Sequence, residues 1–151
     1  MRRLSRAACI LTTGTFLAAL GLGSSAAAAA EPTPQVCTKT AKTVEDGLTV
    51  FARELTKVTQ AADSGDLPAA ERSVQSAGDS LVDLAANLRT DAATADAADV
   101  KSTLGQLADE FETQGKSLTT VESLQNLDVT RIDALSDQMI AICGAANPTP
   151  R

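Results

Sequence analysis

From Cys37 onward the apolar residues fall in steps that alternate four and three: Cys37, Ala41, Val44, Leu48, Phe51, Leu55, Val58 and Ala62. A backbone that turns once per 3.6 residues gathers such positions on one face. Lys39, Lys42, Glu45, Asp46, Arg53, Glu54 and Lys57 then lie mostly elsewhere. This spacing predicts a long amphipathic helix over residues 36–63, and it recurs three more times.

Ser64-Gly65-Asp66 combines a stopping glycine with a capping aspartate for the next helix. Leu67, Ala70, Val74, Ala77, Leu81, Leu84 and Leu88 form the second stripe, over 67–90, with Pro68 in the first turn, where a missing N–H costs least. Thr90 to Asp96 lacks large apolar residues and reads as a connection, though its alanines would tolerate helical extension. Val100, Leu104, Leu107, Phe111, Leu118 and Val121 make the third stripe, over 96–125. It is interrupted at Gln114-Gly115, which predicts a kink or break near residue 115. Asp128 is the expected cap of the fourth helix, over 128–143. That helix carries Val129, Ile132, Leu135, Met139 and Ile142 or Cys143, is stopped by Gly144, and is followed by a short extended tail. Strict apolar–polar alternation is absent, so no strand is expected. The whole predicts an all-α, up-down-up-down four-helix bundle over residues 31–151.

The cysteines bear on the same topology. Residues 1–30 have the layout of a secretory signal peptide. Arg2, Arg3 and Arg6 precede an apolar run from Ala7 to about Leu22, and small residues lead to a cleavage site after Ala30, with Ala28 as the alternative. Removing this leader takes Cys9 away and leaves Cys37 and Cys143, for which only one intramolecular pairing exists. An oxidising compartment allows that bridge to persist. An even number of antiparallel helices brings the two cysteines to the same end of the bundle, whereas three helices would leave them at opposite ends. No Cys-x-x-Cys motif supports a redox reading instead.

Charge and composition narrow the chemistry. The leader carries three of the thirteen basic residues and none of the nineteen acidic ones, so its loss moves the net charge from −6 to −9. Such a surface repels phosphate backbones and anionic headgroups, so nucleic acid is not an expected partner and no membrane span is expected after cleavage. The chain has no Tyr, Trp or His. That removes imidazole bases, His-ligated metals and the usual haem ligands, and it removes aromatic platforms for bases or sugars.

Several short patterns imitate functional motifs. Gly115-Lys116-Ser117 echoes the end of a phosphate-binding loop, but the first glycine of that motif is replaced by Glu110 and no strand precedes it. Asp91, Asp96 and Asp99 lack the alternating oxygens and the turn glycine of a calcium loop. Asp109, Glu110 and Glu112 read as a solvated helix face. No catalytic residue, cofactor or metal is expected.

In its leader, its composition rich in Ala, Thr and Asp, and its two terminal cysteines, the chain resembles small secreted helical proteins of actinobacteria. Val36-Cys37-Thr38 and Cys143 are also similar in placement to the cysteines of the mycobacterial haem-carrier-like family. That second resemblance implies an exported helical domain with one disulfide; it transfers no ligand residue, since the His and aromatic residues such carriers would use on haem are absent. The expected function is therefore a non-catalytic interaction or structural module of the cell envelope or medium, with a protein partner. The alternative is a carrier of a lipid or other apolar ligand held between the helices, lined by Phe51, Leu55, Leu81, Leu84, Leu107 and Phe111.

Overall fold

The computed structural model describes residues 30–146; the predicted leader up to Ala29 and the tail from residue 147 lie outside the described residues. The fold is an all-α bundle of four helices: α1 (Thr33–Asp63), α2 (Leu67–Thr94), α3 (Ala98–Ser117) and α4 (Thr130–Ala146). A 3-10 turn, Val121–Asn126, lies between α3 and α4. Each helix packs against its neighbours in sequence, and α1 meets α4 to close the ring. Cys37 and Cys143 form the disulfide that joins the two ends of the domain, with Cα atoms 5.8 Å apart.

The tight turns follow the expected chemistry. Gly65 takes a positive φ of 76°, which a residue with a Cβ adopts only at a cost. The Asp66 carboxylate accepts a hydrogen bond from the Ala69 N–H at 3.0 Å, capping α2. Asp128 likewise accepts from the Thr130 N–H at 2.9 Å at the start of α4. That hydrogen bond, with a second from the Thr130 side chain, holds the Asp128 carboxyl below its ordinary pKa.

Four boundaries differ from the spacing-based expectation by three residues or more, and the starts of α3 and α4 differ by two. α1 begins at Thr33 rather than 36, because prolines are tolerated in a first turn. α2 continues to Thr94 rather than ending at 90. The residues read as a connection are held in the helix by Asp91, which is only 2% exposed. It accepts a hydrogen bond from the Thr43 hydroxyl at 2.8 Å and pairs with Lys39 at 3.2 Å. The third segment does not run to 125: α3 ends at Ser117, and the chain re-forms only as the 3-10 turn. Finally, Gly144 does not stop α4, which runs on to Ala146.

Gly115 also has a role the break reading missed. A Cβ there would lie 2.6 Å from the Gly78 carbonyl oxygen, and one on Gly78 would lie 2.5 Å from that of Gly115. The two glycines let the α2 and α3 backbones touch, and the helix ends two residues past this crossing. Just before α1, the Glu31 N–H donates to the Thr94 carbonyl at 2.6 Å and its own carbonyl accepts from the Asp96 N–H at 3.0 Å. The start of the bundle is thereby tied to the α2–α3 turn.

Burial is uneven. The core lies mainly between α2 and α3, around Val74, Leu81, Leu84, Leu88, Val100, Leu104, Leu107 and Phe111. α2 buries ten residues and α4 only two, Leu135 and Met139. α4 is thus the least embedded of the four helices.

Candidate functional site

The stripe on α1 is sealed at its ends and open in its middle. Val36, Cys37 and Thr40 are buried at one end and Val58 at the other; Val44, Phe51 and Leu55 between them are only half-buried, and Leu48 is 40% exposed. The spacing of α4 from α1, and not its length, explains this. At about 1.5 Å per residue, the 31 residues of α1 run about 46 Å, whereas the 17 of α4 run about 26 Å. α4 is thus long enough to flank α1 from Cys37 to Phe51; it meets α1 at the disulfide and stands off from it beyond, with Ile132 and Ser136 across the gap from Val44, Leu48 and Phe51.

The result is an apolar trough between α1 and α4 with α3 at its floor. Its narrow part, about 290 Å³, is lined by Cys37, Ala41, Val44, Leu107, Met139 and Cys143, among others. Its wider part, about 320 Å³, is lined by Leu48, Phe51, Leu81, Phe111, Leu127 and Ile132. Val44, Leu107 and Ser136 line both parts, which makes them one continuous feature. Val129 and Ile140 stand on its rim at 51% and 68% exposure.

The polar groups of the trough are few. The disulfide closes the narrow end. Thr40 lies beside it, but its hydroxyl is sealed from the surface and has no hydrogen-bond partner among the described residues. At the wide end sit Gln114 and Asp133. The Gln114 side-chain carbonyl accepts from the Asp128 N–H at 3.3 Å, so the polar interruption of the third stripe ties α3 to the start of α4. Asp133 is exposed and forms no ion pair among the described residues, and neither part of the trough is lined by a Lys or Arg.

Of the six residues expected to line a ligand site, Phe51, Leu81, Leu107 and Phe111 come together in the wide part of the trough. Leu84 lies on the other side of α1. There it packs against Gly47 and borders a polar groove of about 500 Å³ with Lys39, Asp83, Asn87 and Asp91. Leu55 is half-buried and lines neither part of the trough. Sequence reading missed Val44 and Leu48, though both belong to the same stripe as Phe51. It also missed Ser136, whose small side chain keeps the middle of the trough open.

Asp109, Glu110 and Glu112, the acidic face of α3, are held in ion pairs. Arg89 on α2 pairs with Asp109, at 2.8 Å, and with Glu112; Lys116 also pairs with Glu112, and Arg131 pairs with Glu110 at 2.7 Å. Hydrogen bonds from Lys116 and then Arg89 hold the Glu112 carboxyl below its ordinary pKa, and Asp109 and Glu112 raise that of Arg89. Among the described residues no group of three or more Cys, Asp or Glu is placed to hold a metal. None of the helices among the described residues is long and apolar enough to cross a membrane.

Fold and trough together define an all-α bundle closed by one disulfide, with an unsealed apolar face between its first and last helices. Comparison with protein families, with curated proteins and with solved structures finds no match.

Proposed function

We propose that the protein is a non-catalytic binding module of the cell envelope or medium, and that it carries an apolar ligand in the α1–α4 trough. The single observation behind this reading is the unsealed middle of the α1 stripe. Val44, Leu48 and Phe51 face a cavity where a bundle of this size would ordinarily bury them. Leaving such area open forgoes stabilisation of roughly 25 cal/mol per Å² of apolar surface, which a bound apolar group would restore. Each part of the trough lies near the lower bound of small-molecule sites, about 300 Å³. The disulfide and the leader-like first 30 residues favour an extracytoplasmic setting.

Mass spectrometry under native conditions, on protein purified without detergent from its own culture, tests the proposal. A lipid or other apolar adduct is expected, together with binding of the uncharged dye N-phenyl-1-naphthylamine. Ser136→Trp, which fills the section shared by both parts of the trough, should abolish dye binding while helical circular dichroism is retained. Dye binding that survives Ser136→Trp would sink the proposal.

A second reading has a specific observation in its favour. Leu48, Val129 and Ile140 are exposed around the same trough, as suits the apolar face of a partner helix. A partner that competes with the dye would support it.

A further inference from the structure

The trough also has a direction and a charge preference. We infer that it takes a single-chain amphiphile with a cationic head group, its tail toward the Cys37–Cys143 disulfide and its head beside Asp133. This rests on the apolar-ligand reading above and specifies the ligand class.

The orientation follows from the two ends. At the narrow end the backbones of α1 and α4 are held 5.8 Å apart at Cα by the disulfide, and the surrounding side chains are mostly apolar. The one polar group buried there, the Thr40 hydroxyl, is sealed off and offers no anchor. At the wide end Asp133 and Gln114 supply the polar lining. A tail therefore terminates at the disulfide, and a head emerges near the start of α4.

Length and volume select one tail. Cys37 and Phe51 bracket the trough along α1, and the fourteen steps between them span about 21 Å. A lipid tail occupies about half of the roughly 30 Å hydrocarbon core of a bilayer, so one tail fits with room for the head. Two parts of about 290 and 320 Å³ in series give a track for one chain, not two side by side.

Charge selects the head. Asp133 is the single charged group in the lining, carries no ion pair among the described residues, and sits on a protein of net charge −6. An anionic head meets like charge with no cation in the lining to receive it, and the nearby Arg131 is already paired with Glu110. A cationic head gains Asp133 and the surrounding field. The same field acts against a second copy of this acidic chain as the occupant.

The test uses the oxidised protein as its own host produces it. Binding is read by isothermal titration calorimetry, which leaves the lining of the trough unaltered. Three twelve-carbon probes are titrated below their micellar concentrations at low salt: dodecyltrimethylammonium, dodecyl maltoside and dodecyl sulfate. The cationic probe is expected to bind at least threefold tighter than the uncharged one, with the anionic probe weakest, a gap of the size one exposed charge pair supplies. Asp133→Asn should remove the gap between cationic and uncharged probes. Asp79→Asn, an exposed position on α2 that lines neither part of the trough, should preserve it. Equal binding of cationic and uncharged probes would overturn the charge assignment and leave the apolar-ligand reading standing. An equal loss in the Asp79 variant would assign the preference to the whole surface and overturn the placement of the head. Failure of all three probes to bind would overturn both.

Discussion

Reducing the Cys37–Cys143 bridge, or replacing either cysteine with serine, is expected to release α4 before the other three helices are disturbed. The bridge closes a sequence separation of 106, and loop closure of that length is worth about 5 kcal/mol in the chain-entropy treatment. Domains of this size are stable by only about 5–15 kcal/mol, so the bridge is a large share of the total. At roughly 4 °C per kcal/mol, the melting temperature should fall by about 20 °C. The local consequence is sharper. α4 buries only Leu135 and Met139, each contributing about 1.5–3 kcal/mol by burial. Against this stands the ordering of a 17-residue helix, whose backbone alone costs about 1–2 kcal/mol per residue before its own hydrogen bonds and contacts offset it. Without the bridge α4 is the weakest-held element. Hydrogen exchange read by mass spectrometry, with and without reductant, should show α4 amides exchanging rapidly while the centres of α2 and α3 stay protected. Cys37→Ser and Cys143→Ser should match the reduced protein and each other. Loss of protection in all four helices together, or an α4 unaffected by reduction, would refute the reasoning.

Four further outcomes follow from packing and charge. Gly78→Ala or Gly115→Ala forces the α2–α3 crossing apart and should destabilise by about 1–3 kcal/mol in denaturant melts. Gly105→Ala, with nothing within 4 Å of the new methyl, should instead stabilise by about 0.5–1 kcal/mol. Thr103 is fully buried and its hydroxyl has no partner among the described residues, so Thr103→Val should raise stability by about 1 kcal/mol in the same assay. Glu112 and Asp128 have carboxyl pKa values lowered by folding, so the stability they contribute is present above their ordinary values of 4.5 and 3.8 and is lost as pH falls through the lower folded values. Melts recorded from pH 6 down to pH 2 should show this loss, and it should be smaller in the double variant Glu112→Gln, Asp128→Asn.

How much was legible in the sequence depended on how local each determinant is. The stripes from Cys37 to Ala62 and from Leu67 to Leu88 are read from spacing because an amphipathic helix repeats its environment every few residues. The Ser64-Gly65-Asp66 turn is read because its chemistry lies within three residues. Asp91 was misread as part of a connection because its partners, Lys39 and Thr43, are about fifty positions away in the chain. Gly115 looked like a weak point in one helix; that it also serves as a contact between two depends on Gly78, on another helix. Gln114 looked like a flaw in the stripe, and its bond to the Asp128 backbone exists only once the segment between α3 and α4 has folded back.

The sequence by itself determined four amphipathic helices and their turns. Given an even number of antiparallel helices, it also determined that Cys37 and Cys143 come to the same end. Periodicity, capping and cysteine pairing are short-range or combinatorial, so they survive being read one residue at a time. Only the tertiary structure decided that the α1 stripe is left open over Val44, Leu48 and Phe51. The Gly78–Gly115 contact draws α2 and α3 together, whereas α4, tied to α1 at the disulfide, stands off from the stretch of α1 that it runs beside. A stripe records which face of a helix avoids water, and how closely its neighbours pack decides how much of that face they cover.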